Sequence, residues 1–197
     1  MISTYSDLTI GQYIKCKAIT NIESDPVQRK LKMLSIITGK SVDELESLPI
    51  AELIKRLKAI TEVESLGKNA KVKMKFKVKG RRFECIWKSQ ELRADQYIDA
   101  TFYTKGDIEQ NIHNILAAIC VERTWYGKKL PYSGDKHKEI AELFLNEMKI
   151  STAYPIMLFF SKYLRELERN TAIYLEKEMG KVADLLKNGD GLQPSTA

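Results

Sequence analysis

The sequence predicts a mainly α protein: two related helical units, one antiparallel β-hairpin between them, and a long C-terminal helix. Three observations carry that reading. Apolar residues recur at helical spacing along most of the chain, whereas residues 71–87 alternate with period two. Two helical stretches share a Gln-Tyr-Ile run, at Gln12-Tyr13-Ile14 and at Gln96-Tyr97-Ile98. Residues 151–187 carry no strong break over a length that reaches about 55 Å as a helix. The expected division is therefore 1–66 as a first helical unit, 67–150 as hairpin plus second helical unit, and 151–197 as long helix with a polar tail.

The first helix begins after Thr9, a suitable N-cap, and carries Ile10, Tyr13, Ile14 and Ala18 on one side. Asp25-Pro26 opens the second with a capping side chain and proline at the first helical position. Val27, Leu31, Leu34 and Ile37 form its stripe, and Gly39 is placed to end it. Ser41-Val42-Asp43-Glu44 reads as a capping box for a short third helix. Pro49 then leads into a fourth, with Ile50, Leu53, Ile54, Leu57 and Ile60 directed inward, until Gly67-Lys68-Asn69 breaks it.

In the hairpin, Val72, Met74, Phe76 and Val78 alternate with Lys71, Lys73, Lys75, Lys77 and Lys79, giving one apolar and one cationic face. Gly80 sits where a tight turn needs positive φ, and Phe83, Cys85 and Trp87 resume the alternation. Two strands alone are marginal in water, so the apolar side requires cover from helices, further strand or a partner. After the hairpin, 94–103 reads as helix with Tyr97, Ile98 and Phe102. A further helix is expected from Gly106-Asp107, with Ile108, Ile112, Ile115, Leu116 and Ile119 on one side. Residues 125–134 read as a turn-rich loop, and Asp135 as the cap of a helix bearing Ile140, Leu143 and Phe144. In the last helix Pro155 is tolerated in the first turns, and Gly180 is a candidate interruption.

The two halves line up beyond Gln-Tyr-Ile. Leu8–Ile14 matches 92–98, and each is followed by an apolar-striped helix, a shorter acidic helix and a Pro-Ile opening (Pro49-Ile50, Pro155-Ile156) into a longer one. A duplication with the hairpin inserted before the second copy explains this order. Four helices of each copy then correspond.

Composition bounds the chemistry. With 44% hydrophobic and 29% charged residues, the chain is ordinary for a globular domain. Cys16, Cys85 and Cys120 are too far apart for a CxxC and odd in number, which fits free thiols packed as small hydrophobes in a reducing compartment. The first residues show no basic leader before an apolar core, so no secretory signal is expected. The longest apolar run, 154–160, is far short of the roughly 20 residues a bilayer span needs. His113 and His137 have no second ligand at metal spacing. His113 is expected to be partly buried, and His137 to be solvated among Asp135, Lys136, Lys138 and Glu139. No phosphate-binding loop or dinucleotide fingerprint appears, and neither cofactor nor catalytic group is assigned.

The charge is concentrated. Seven basic residues and no acidic one fall within 71–82, one more than the whole net charge of +6, so the remaining chain is near neutral. Lys71, Lys73, Lys75, Lys77, Lys79, Arg81 and Arg82 therefore form a candidate binding face. Three readings compete. The lysines are a solvated strand face that discourages edge-to-edge pairing, a nucleic-acid surface, or a contact for an acidic partner. Base-stacking aromatics on the cationic face are what nucleic acid asks for, and Phe76 falls on the other side. Strand addition from a neighbouring subunit is a further option. Tyr154, Phe159, Phe160 and Tyr163 read as core. Trp125 and Tyr126 in a loop are either folded back onto the core or offered to a partner.

The run LTIGQYI with KLKMLSIITGKSVDELESLPIAELIKRL resembles the small helical tail assembly chaperones of tailed bacteriophages. DQYID, NILAAICVER and MKISTAYPIMLFF in the second half are similar to related phage morphogenesis proteins. The positions that match are Gln12, Tyr13, Thr38, Gly39, Leu48 and Pro49, with Gln96 and Tyr97 as their counterparts in the second copy. All are expected to be structural. The resemblance implies a non-enzymatic protein that binds other virion proteins (portal, neck or tail subunits, or the tape-measure protein) and assembles with itself. It also implies a place in the virion after assembly in the host cytoplasm, with no membrane contact. The doubled unit and the long last helix depart from the chaperone pattern. They favour a ring or adaptor component, with a soluble tape-measure chaperone and a basic nucleic-acid accessory protein as alternatives.

Overall fold

A computed structural model describes residues 7–61, 72–86 and 91–188. Lys71, Trp87, the Gly67-Lys68-Asn69 break and the closing tail lie outside them. The described residues are mainly helical. They run α1 (Ile10–Ile22), α2 (Pro26–Thr38), α3 (Val42–Glu46), α4 (Ile50–Thr61), β1 (Lys75–Val78), β2 (Arg81–Cys85), α5 (Ala94–Thr104), α6 (Ile112–Ile119), β3 (Cys120–Arg123), α7 (Gly134–Glu147) and α8 (Ile150–Asn188). One compact unit runs through Phe159 and a second begins at Phe160. Among the described residues no helix is long and apolar enough to cross a membrane.

Local chemistry sets the first four helices. The Thr9 hydroxyl accepts from the Gln12 N–H at 3.2 Å, while the Gln12 amide oxygen accepts from the Thr9 N–H at 3.0 Å. Asp25 caps α2 through the Val27 N–H, and Gly39 ends it at φ +71°, donating to the Ser35 carbonyl. Ser41 and Glu44 close the box that starts α3. The Pro49 carbonyl accepts from Glu52 and Leu53, so proline stands immediately before α4. Tyr13 is buried, Leu48 half-buried, and the Thr38 hydroxyl donates to the Leu34 carbonyl.

α6 is the centre of the first unit. Ile112, Ile115, Leu116, Ala117, Ala118 and Ile119 are all buried, and only His113 and Asn114 near its start are half-buried. It packs between α5 and α7, and α1 packs on α7. Leu8–Ile10 and Met148–Ile150 clasp each other as a short antiparallel bridge, with the Ile10 N–H donating to the Met148 carbonyl and the Ile150 N–H to the Leu8 carbonyl. Gly11 permits the close approach of α1 and α7, because a Cβ there would meet the Leu145 carbonyl oxygen at 3.0 Å.

The hairpin forms as expected, over a two-residue turn in which Lys79 (φ +46°) and Gly80 (φ +81°) are both left-handed. It is not alone, however. Strand β3 pairs antiparallel with β2, giving the order β1-β2-β3. Residues 120–123 continue the apolar run of α6 and carried no turn signal, so the helix-to-strand change at Ile119/Cys120 was invisible to periodicity. The apolar face of the hairpin is also covered from within. Phe76, Phe83 and Phe144 of α7 interlock, with ring centroids 4.8–5.9 Å apart.

Other expectations are corrected. α7 is capped by Ser133, not Asp135. The Asp107 carboxylate accepts from the Glu109 and Gln110 N–H groups and closes a turn, which delays α6 to Ile112. Gly180 does not interrupt α8. His137 is buried, not solvated. It shares the stripe of Ile140, Ala141 and Phe144 at helical spacing, stacks on Tyr103, and its Nε2–H donates to the Asn114 carbonyl at 3.0 Å. Tyr132 meets the same ring and donates to Asp99. Ile50 and Ile54, expected inward, stay exposed because α4 packs on α2 through its Leu53 and Leu57 side. Val27, Ile98 and Phe102 are exposed as well.

Candidate functional site

Pleating divides the basic ribbon. Register places Phe76, Val78, Arg81, Phe83, Cys85, Cys120 and Glu122 on the inner side, and Lys75, Lys77, Arg82, Glu84, Val121 and Arg123 on the outer side. Arg81 is thus not part of the lysine face. Its guanidinium reaches Glu122 through two bonds of 2.6–2.7 Å and Glu139 through one of 2.6 Å, at the rim of the aromatic core. This guanidinium holds the Glu122 carboxyl below its usual range. Lys79, at the turn, pairs with Glu147 at 2.8 Å. Lys73 is exposed ahead of β1.

The outer side holds a feature that no single segment reveals. Lys77 lies opposite Arg82, Arg82 opposite Arg123, and Arg123 opposite Lys129 in an isolated bridge beyond β3. Four basic side chains therefore form one rung across the sheet. The neighbouring rung is Lys75, Glu84, Val121. Glu84 neutralises Arg123, while Lys75, Lys77, Arg82 and Lys129 meet no carboxylate among the described residues. Like charges facing each other across strands are destabilising, by a few tenths to about 1 kcal/mol per pair.

Beside this rung stands the turn that carries Trp125 and Tyr126. It is closed by backbone bonds from Thr124 to Lys128 and from Gly127 to Thr124, with Gly127 at φ +91°. The Arg82 guanidinium donates to the Trp125 carbonyl at 2.8 Å, and Arg123 donates to the Gly127 carbonyl. The turn is thus held from both arginines, yet Trp125 is 81% and Tyr126 62% exposed, edge to face at 5.4 Å. The two aromatics are therefore not folded back onto the core. Arg123 and Lys129 are the residues that sequence reasoning missed. Reading 120–123 as a strand would have found Arg123.

Two helices present apolar pairs at i, i+4: Ile50 with Ile54 on α4, and Ile98 (63% exposed) with Phe102 (69%) on α5. A cleft of about 560 Å³ is lined by Gln12, Lys15, Gln110, His113 and Asn146 among others. The Nδ1 atom of His113 is buried there without a hydrogen-bond partner, and desolvation, followed by the charge of His137, lowers its pKa. Gln96 is buried against α6 and Tyr97 is half-buried. Gln12, in contrast, lines the cleft. Among the described residues no three His, Cys, Asp or Glu side chains gather as a metal site. Comparison of the chain with family models, with curated proteins and with solved structures gives no match.

Proposed function

We propose that this chain is a non-enzymatic assembly protein of a tailed-phage particle, a neck or tail ring component near the portal that joins neighbouring particle proteins and its own copies. The observation that supports this reading is the Ile98–Phe102 pair. On α5 the opposite face buries Gln96 and Ala100, so the core is already served, and two large apolar side chains remain outward on adjacent turns. Single exposed apolar residues are commonplace, but covering such a pair completely is worth roughly 3–6 kcal/mol. Ile50 and Ile54 repeat the arrangement on α4. The likeness of 8–57 to tail assembly chaperones supplies the phage setting.

Light scattering after size exclusion, together with mass spectrometry of particles purified from producing cells, tests the reading. Association that weakens in the Ile98→Glu, Phe102→Glu double variant, with the chain present in particles, is the expected result. A chain abundant in lysate and missing from particles points instead to a soluble tape-measure chaperone. A monomer at every concentration, absent from particles and indifferent to both substitutions, removes the proposal.

A further inference from the structure

We infer that the outer face of the sheet is a binding site for single-stranded nucleic acid, with phosphates on the Lys77–Arg82–Arg123–Lys129 rung and a base stacked on Trp125. This site is separate from the apolar pairs on α4 and α5, and its test is independent of theirs.

The first argument is electrostatic. Four cations stand in line across three strands and the bridge beyond them, and each facing pair repels, a cost that a polyanion on this face would relieve. One of the four is neutralised by Glu84, which leaves three on the rung, with Lys75 on the next. At about 4.8 Å per strand the rung spans about 14 Å, a line of positive charge and not a point. A line of this kind suits a linear polyanion, whose binding releases counterions.

The second argument selects the polyanion. A duplex presents phosphates but keeps its base faces stacked, and an acidic peptide presents carboxylates without a planar face for an indole to stack on. A single strand offers unpaired base faces, and stacking on an aromatic side chain is the sequence-tolerant way to hold them. Trp125 stands beside the rung in a turn whose conformation is fixed by Thr124, Gly127 and two arginines. The backbone that carries the indole is therefore set before any ligand arrives, which spares the ordering cost of a loose loop. Arg82 joins the two halves of the site, as its charge lies on the rung while its N–H holds the Trp125 carbonyl.

The test is fluorescence anisotropy with labelled oligo(dT) and oligo(rU) of about 15 nucleotides, titrated with the full chain across a fourfold range of KCl. Three neutralised phosphates give a log–log salt slope of about −2, and so about a sixteenfold loss of affinity over that range. Lys77→Gln with Lys129→Gln should bring the slope to about −0.7, whereas Lys40→Gln with Lys55→Gln, the same charge change elsewhere, should leave it unaltered. Trp125→Ala should weaken binding about tenfold at unchanged slope. Both altered positions are exposed, so circular dichroism should report a native fold. Without ligand, the rung variant should melt no lower than the parent at low salt, because repulsion has been removed. The inference is overturned by no salt-dependent binding of either oligonucleotide, by rung and control variants that behave alike, or by Trp125→Ala binding as the parent does. Equal or tighter binding of a duplex or of polyglutamate also overturns it, and assigns the face to general polyanion or acidic-protein contact.

Discussion

Gln12 and Gln96 perform the same two tasks in the two halves of the chain. Each is the third residue of its helix, and its amide oxygen accepts from a backbone N–H just before that helix, on Thr9 at 3.0 Å and on Arg93 at 3.3 Å. Each amide nitrogen then donates to a carbonyl near the end of the next helix, Ile36 of α2 at 3.4 Å and Ala118 of α6 at 2.9 Å. One side chain thus satisfies an orphan donor at a helix start and ties down the close of its neighbour. The shared Gln-Tyr-Ile run is therefore a shared joint, and the joint supports the duplication more firmly than the letters do.

The two joints should differ in worth. Gln96 is buried, whereas Gln12 is half-buried and its long bond is the weaker. Gln96→Ala should cost about 1–3 kcal/mol, because it leaves the Ala118 carbonyl unsatisfied in the core. Gln12→Ala should cost about 0.5–1.5 kcal/mol. Urea denaturation of the two variants measures both.

Stability should fall in acid along two separable limbs. His113 is held neutral by burial, with a folded pKa below its unfolded value near 6.5. The unfolded chain therefore binds the extra proton first, and stability declines as pH drops below about 6.5. Glu122 is lowered by Arg81, so its contribution is present above its unfolded pKa and is lost as pH falls through the folded one. In chemical denaturation across pH, His113→Gln should flatten the first limb and Glu122→Gln the second.

The turn of the hairpin carries one strained residue. Lys79 occupies left-handed space that favours glycine or asparagine, and its pair with Glu147 is exposed and of small worth. Lys79→Asn should raise stability by roughly 0.5–1 kcal/mol, and Gly80→Ala should lower it by about 1–2 kcal/mol. A shift of the thermal midpoint in opposite directions is the expected signature.

The thiols should be silent in the native protein. Cys16, Cys85 and Cys120 are free and buried; burial pushes Cys16 up to about 12 and Cys120 well above its ordinary value. Since the thiolate is the nucleophile, alkylation should proceed only as fast as the chain opens. A labelling rate independent of denaturant would contradict the packing of all three.

Elements fixed by chemistry within a few residues were legible in the sequence. The caps at Thr9, Asp25 and Ser41, the left-handed Gly39, and the alternation ending at Gly80 each depend on neighbours close in the chain. What escaped depends on distant pairing. Strand β3 exists because β2 offers it an edge, and the rung needs Lys77, Arg82, Arg123 and Lys129 to come from four separate stretches. His137 is an intermediate case. Its charged neighbours suggested solvent, while its phase with Ile140 and Phe144 marked the buried stripe, and phase prevailed.

Helix α6 passes into strand β3 with no residue between them, Ile119 ending one and Cys120 beginning the other. There is no slack at that junction. A tug on the ribbon is transmitted straight to α6, whose apolar residues are all buried. In hydrogen exchange the amides of Leu116 and Val121 should accordingly open together, as one cooperative block.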